Sequence, residues 1–223
     1  MPPALHSLLL AGSTGLVGRA LQAQALAWPG LQALHLLLRR PPPAAPADPR
    51  MHPRVVDFRA LPALPPADGA LCALGTTIKA AGSQAAFRAV DFDAVLAFAR
   101  AAQLAGVTRL GVVSALGADA RSGVFYNRVK GEAEAALRAL GFDTLVIARP
   151  SLLLGDRAAL GQPPRPGERL GQLLAAPLAP LIPPAWRPIR ADVVARALLR
   201  TLAEAPAGVQ VLESSRLQEV GRR

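Results

Sequence analysis

Tyr126 and Lys130 form a Tyr-x-x-x-Lys spacing near the start of a helical stretch, which puts a phenol and an ammonium one turn apart on the same face. Tyr126 is the only tyrosine in the chain. A cation this close favours phenolate and brings a proton ordinarily held to a pKa of about 10 towards a range useful for acid–base transfer. Taken alone, the pair reads as a solvated couple on a helix surface. Ser114 strengthens the chemical reading, because it ends an apolar run at the carboxyl edge where open parallel sheets place ligands. Ser114, Tyr126 and Lys130 are therefore the candidate catalytic residues.

A second constellation lies near the N-terminus, where Gly12-Ser13-Thr14-Gly15-Leu16-Val17-Gly18 gives G-x-x-G-x-x-G between an apolar run and a helical stretch. Glycines at these positions let the chain turn sharply and bring backbone N–H groups, including those of Thr14, Leu16 and Val17, towards a pyrophosphate at a helix N-terminus. Gly18 would permit close helix packing. A glycine-rich turn without a ligand is the plainer alternative, and the position at the first strand–helix junction favours nucleotide binding. Where an acidic residue would hold the ribose 2'-hydroxyl of NAD, the chain carries Arg39 and Arg40, 21 and 22 residues past Gly18. Their charge and donor fork suit a 2'-phosphate, so the expected cofactor is NADP(H), with Arg39 placed ahead of Arg40 as the contact. Asp57, ending a third strand, is placed to accept a hydrogen bond from an adenine amino group or to act as a plain turn residue. Its neighbour Phe58 is grouped with it in the cofactor set.

Elements that must hold these residues follow from periodicity. His6–Ala11, Leu31–Leu38, Val55–Val56, Ala70–Leu74, Arg109–Ser114 and Thr144–Ala148 read as strands. Leu16–Ala27, Asp91–Ala105 and Val124–Leu140 read as helices, the last two stopped by Gly106 and Gly141, and Pro41–Pro53 reads as a loop. Alternation of this kind predicts an α/β fold: a Rossmann-type, doubly wound parallel sheet with helices on both faces. Residues 1–150 form the expected NADP-binding core. Residues 151–213 form a small C-terminal lobe of the same domain, crowded with Pro and Gly over 155–188, with a helix at Asp192–Glu204 and a strand at Val209–Leu212. Residues 214–223 read as a solvated tail.

With these elements in place, the sequence resembles the short-chain dehydrogenase/reductase superfamily in its atypical, G-x-x-G-x-x-G branch. Cys72-Ala73-Leu74-Gly75-Thr76-Thr77, Val90-Asp91, Val113-Ser114, the run from Tyr126 to Glu132, and Arg149-Pro150-Ser151 look like the bacterial relatives of the human Tat-interacting tumour-suppressor oxidoreductase. The resemblance spans residues 5–205 and implies NADP(H) and a Ser, Tyr, Lys triad carried by Ser114, Tyr126 and Lys130. It implies further that Leu74, Gly75 and Thr76 line the adenosine ribose side and that Pro150 and Ser151 border the nicotinamide. Two departures from the wider superfamily are visible. The turn after the fourth strand is Leu-Gly-Thr-Thr in place of Asn-Asn-Ala-Gly, and the C-terminal lobe is shorter than in sugar-nucleotide epimerases. The expected activity is hydride transfer to or from a small carbonyl or alcohol, with Tyr126 passing the proton, Lys130 holding the nicotinamide ribose and Ser114 bonding the carbonyl oxygen. A dinucleotide-sensing protein that acts through a protein partner, with little or no turnover, is the alternative, since fold and cofactor do not guarantee turnover.

Composition narrows the remaining classes. The chain has 223 residues, 52% of them apolar and 18% charged, with a mean hydropathy of +0.30, which excludes wholesale disorder. Pro177, Pro180, Pro183 and Pro184 break the one long apolar stretch, so no membrane span is expected. A single cysteine, Cys72, allows no internal disulfide, and His6, His35 and His52 share no metal-ligand spacing. The N-terminus lacks a basic segment before its apolar run, which predicts an unprocessed, cytoplasmic chain. Net charge is +10, but 25 basic residues less the two lysines, Lys79 and Lys130, leave 23 dispersed arginines, so no specific nucleic acid is expected. The Leu-, Ala- and Pro-rich lobe suggests an apolar carbonyl substrate, and no oligomeric state is legible.

Overall fold

The computed structural model describes residues 5–42, 44–154, 183 and 185–222. Its first strand, β1 (Ser7–Ala11), leads into α1 (Leu16–Leu26), and β2 (Ala33–Leu38), β3 (Met51–Val55) and β4 (Gly69–Cys72) follow. Two short helices, α2 (Ile78–Ala81) and α3 (Gln84–Arg88), come next, capped by the Thr77 and Ser83 hydroxyls, which accept from Ala80 and Ala86 N–H at 3.1 Å. A π-helical turn, Ala89–Ala94, then runs into α4 (Val95–Leu104). The chain continues through β5 (Arg109–Val113), α5 (Phe125–Ala139), β6 (Thr144–Arg149), β7 (Leu153–Leu154), β8 (Ile189–Arg190), α6 (Ala191–Glu204), β9 (Gly208–Glu213) and α7 (Ser214–Arg222).

Among the described residues, seven strands form one sheet in the order β3-β2-β1-β4-β5-β6-β9, with every neighbouring pair parallel; β7 and β8 make a separate two-stranded ribbon. Each strand reads as a near-continuous apolar run because both sheet faces are covered. Along β1, Leu8 and Leu10 pack with Val194 and Leu198 of α6 on one face, while Leu9 and Ala11 pack with Phe98 of α4 and Leu137 of α5 on the other. The strand order reverses between β1 and β4, which opens a crevice at their carboxyl ends. Both the glycine turn after β1 and the Leu74–Thr76 loop after β4 stand at that crevice.

The α/β fold agrees with expectation, and three local differences have physical reasons. The third strand starts at Met51, inside the expected loop, and carries Pro53; among the described residues β3 is an edge strand paired only with β2, where a missing N–H is tolerated. Asp91 does not open a regular helix but sits within the π-helical turn that precedes α4. Residues 214–222 are not a solvated tail: Ser214, Leu217, Gln218 and Gly221 recur at helical spacing and form the buried face of α7. A Cβ on Gly221 would lie 2.2 Å from Val193 O, and the Arg196 guanidinium donates to Gly221 O at 3.0 Å, so α7 docks tightly on α6. One apolar residue per turn among serines and charges had disguised it. Most of the Pro- and Gly-rich stretch, 155–182 and 184, lies outside the described residues. Among the described residues, no helix is long and apolar enough to cross a membrane.

Candidate active site

At the first turn the three glycines have different reasons. Gly12 has φ +85°, and a Cβ there would meet the Ala73 backbone at 2.5 Å; a Cβ on Gly18 would lie 1.9 Å from Gly12 O. These two glycines are required by the fold itself. Gly15 is not: its φ is −82°, and an added Cβ would meet only Gly12 O, at 3.5 Å. Gly15 is also the N-cap of α1, a helix start with no side-chain cap and no acidic residue in its first turn. Such a terminus presents N–H groups and the positive end of the helix dipole to an anion. The turn therefore fits a pyrophosphate, and the side of Gly15 that a Cβ could enter without a clash is where such a group would lie. Accordingly, Gly15→Ala should cost no more than about 1 kcal/mol of stability yet lower dinucleotide affinity tenfold or more, whereas Gly18→Ala should cost about 3 kcal/mol by overpacking. Thermal melts run beside calorimetric titrations check both.

Arg39 and Arg40 follow β2 directly, both exposed, and among the described residues neither guanidinium has an acidic partner. Asp57 is drawn into a local ion pair, its carboxylate accepting from the Arg59 N–H and guanidinium at 2.9–3.2 Å. Phe58 is buried in the same apolar cluster as Ala70 and Cys72 of β4. Leu74 is buried, Gly75 is exposed, and the Thr76 N–H donates to Asp91 Oδ2 at 2.9 Å. Pro150 O accepts from Leu116 N–H at 3.0 Å. The Ser151 hydroxyl donates to Arg187 O and accepts from Ser214 Oγ at 2.9 Å, which ties the end of β6 to the start of α7.

Tyr126 and Lys130 both lie on α5, four residues apart. Tyr126 is half-buried with its ring 5.3 Å from that of Phe87. Lys130 is buried, and its Nζ lies 2.7 Å from Asp91 Oδ1. Burial alone pulls the ammonium pKa down, but Asp91 and, more weakly, Tyr126 outweigh it and the net direction is upward. Cys72, buried beneath the pair, is pushed up to about 12, chiefly by burial, and is an inert thiol at neutral pH.

Ser114 does not join this group with a free hydroxyl. Its Oγ donates to Glu134 Oε1 at 2.6 Å, at the buried end of a partly buried network in which Arg149 donates to both Glu134 oxygens at 2.9 and 2.6 Å and to Glu213 at 2.8 Å. The Arg149 guanidinium pKa is raised, first by its hydrogen bond to Glu134. Nothing in the sequence alone marks Asp91, Glu134 or Arg149 for a chemical role. The one signal for Glu134 is positional: it follows Lys130 by four residues on α5, so it shares the lysine's face.

No protein-family model matches the chain. Protein HTATIP2 of Rattus norvegicus is 36% identical over 176 residues, covering 75% of this chain and 69% of that protein. The mitochondrial protein fmp52 of Emericella nidulans is 33% identical over 184 residues, covering 78% and 76%, and that of Aspergillus clavatus is 32% identical over 220, covering 94% and 89%. Among solved structures, MoeE5 in complex with UDP-glucuronic acid and NAD superposes with a TM-score of 0.68 at 20% identity, covering 92% of this chain and 75% of that one. UDP-N-acetylglucosamine 4-epimerase from Methanobrevibacter ruminantium M1 does so at 0.70 and 13% identity, covering 95% and 77%. The structures share the fold, and the sequence relatives decide kinship: the chain belongs to the family of HTATIP2 and Fmp52, in the atypical branch of the short-chain dehydrogenase/reductase superfamily.

Proposed function

We propose that the chain is an NADP(H)-dependent oxidoreductase acting on a small, apolar carbonyl compound or the corresponding alcohol. The observation that carries this reading is the Tyr126–Lys130 pair, a half-buried phenol one helical turn from a buried ammonium on α5. The glycine turn would hold the pyrophosphate, Arg39 and Arg40 the 2'-phosphate, Asp57, Phe58, Leu74, Gly75 and Thr76 the adenosine side, and Pro150 and Ser151 the nicotinamide side. A dinucleotide held in this way would supply or accept the hydride. Tyr126 gives its proton to the carbonyl oxygen in the reducing direction and takes one from the alcohol in the other. Lys130 would hold the ribose hydroxyls and offset negative charge as it develops on the Tyr126 oxygen.

In this reading Ser114 anchors Glu134 and does not donate to the substrate, because its single proton is already given to a buried carboxylate. The same observation favours a second reading, a dinucleotide sensor with slow turnover that acts through a protein partner. A screen of carbonyl compounds for NADPH oxidation separates the two: an enzyme consumes NADPH with at least one compound and forms the alcohol in equal amount. A sensor binds NADPH and consumes none.

Cofactor choice rests on Arg39 and Arg40. Exchanging both for Ala should weaken NADPH by about 1.5 to 3 kcal/mol, the worth of a charge-assisted contact, and leave NADH nearly unchanged. Equal losses for the two dinucleotides would show that the pair acts as general positive charge and not on the 2'-phosphate.

A further inference from the structure

Asp91 is 1% exposed and is shared between two elements. Its Oδ2 accepts the Thr76 N–H at 2.9 Å, and its Oδ1, which has no hydrogen-bond partner of regular geometry, meets Lys130 Nζ at 2.7 Å. Gly75 closes over this pair: a Cβ there would stand 3.3 Å from Asp91 Oδ1 and 3.7 Å from Lys130 Nζ. The π-helical turn that presents Asp91 is itself tied to α5. Arg88 forms an ion pair with Glu132 of α5 and lays its guanidinium over the Phe92 ring at 4.2 Å. A π turn inserts an extra residue and re-aims the side chains that follow, a device frequent at functional sites.

We propose that Asp91 is the positioning residue of the dinucleotide site, a single buried carboxylate that fixes the Lys130 ammonium and the loop after β4 relative to each other. This rests on the reading above, in which Lys130 holds one ribose and Leu74–Thr76 border the other. A lysine side chain has four rotatable stem bonds and cannot by itself hold a fixed point. Asp91 supplies the fixed point, and it is aimed by the same backbone that the dinucleotide would cross. Without its charge the ammonium would be a buried cation facing only groups that are neutral or distant: Tyr126 from α5, the Cys72 thiol from β4, and Glu134 across a small cavity that also touches Ser114.

Asp91→Asn keeps the shape and an acceptor for the Thr76 N–H while removing the charge. The chain has two lysines, so carbon-13 labelling at lysine Cε gives two resonances, with exposed Lys79 as the internal reference. In the wild type, Lys130 should titrate above the ordinary lysine value; in Asp91→Asn its midpoint should fall by about one pH unit or more as burial prevails. NADPH affinity, read by calorimetry, should fall about tenfold or more. Unchanged affinity with a moved lysine midpoint overturns the role in cofactor binding. An unmoved lysine midpoint overturns the pairing on which the role depends. If the variant fails to fold, the wild-type titration decides: a Lys130 midpoint at or below the ordinary value overturns the proposal. A wild-type chain that binds neither NADPH nor NADH instead overturns the cofactor reading and Asp91's part in it, while the lysine titration still reports on the pair.

Discussion

Tyr126→Phe is expected to lower the rate of NADPH-linked carbonyl reduction by about 100-fold or more, the usual contribution of a positioned acid, while leaving NADPH affinity nearly unchanged. The two effects should separate because the lost hydroxyl is the group assigned to the reacting oxygen in the proposed reaction, whereas the ring that remains keeps its packing against Phe87. Lys130→Ala is expected to damage both properties, since its ammonium is assigned to the ribose as well as to the phenol, and it also strands Asp91 without its counter-ion. Steady-state rates beside calorimetric affinities distinguish the two variants. Turnover that survives Tyr126→Phe would remove Tyr126 from the chemistry even with the fold and cofactor as described.

The largest effect on stability is expected at Glu134. Its carboxylate is about 1% exposed and accepts from Ser114, Arg149 and, at 3.2 Å, Arg138. Glu134→Ala leaves Arg149, itself only 22% exposed, with Glu213 alone, and leaves the Ser114 hydroxyl buried without its acceptor. Breaking a buried pair from one side costs about 3 to 5 kcal/mol. In a domain of this size that corresponds to a fall in Tm of about 6 to 20 °C. Glu134→Gln, which keeps an acceptor oxygen and the volume, should lose distinctly less. A scanning calorimeter reads both, and a Glu134→Ala variant melting within 2 °C of the wild type would mean that the network contributes order without stability. Because Arg149 reaches from the end of β6 to Glu213 at the end of β9, the same lesion should loosen the attachment of the last strand.

Much of this was legible in one dimension. The glycine turn, the alternation of apolar runs with helical stretches, and Tyr126 one turn before Lys130 are local patterns, and local geometry fixes what they mean. Features that depend on partners distant in sequence were not legible. Ser114 at the end of a strand looks like a free hydroxyl until Glu134, 20 residues on, is folded beneath it. Asp91 reads as an ordinary acidic residue in a first helical turn. Only the π turn and the packing of α5 reveal that its charge belongs to Lys130. α7 was missed for a related reason: its buried face is built from Ser214, Leu217, Gln218 and Gly221, and a face with a single leucine gives almost no hydrophobic periodicity. The ion pair of Asp57 with Arg59 was present in the sequence as an i, i+2 couple, but its geometry depends on the turn that closes between them.

The proposed activity requires a dinucleotide bound at the turn between β1 and α1 and selected by its 2'-phosphate. Calorimetric titration of NADPH and of NADH into the wild-type chain tests this most directly. NADPH is expected to bind more tightly by about 10- to 150-fold, the ratio that corresponds to 1.5 to 3 kcal/mol. Equal affinities for the two dinucleotides, or heat from neither, would contradict it.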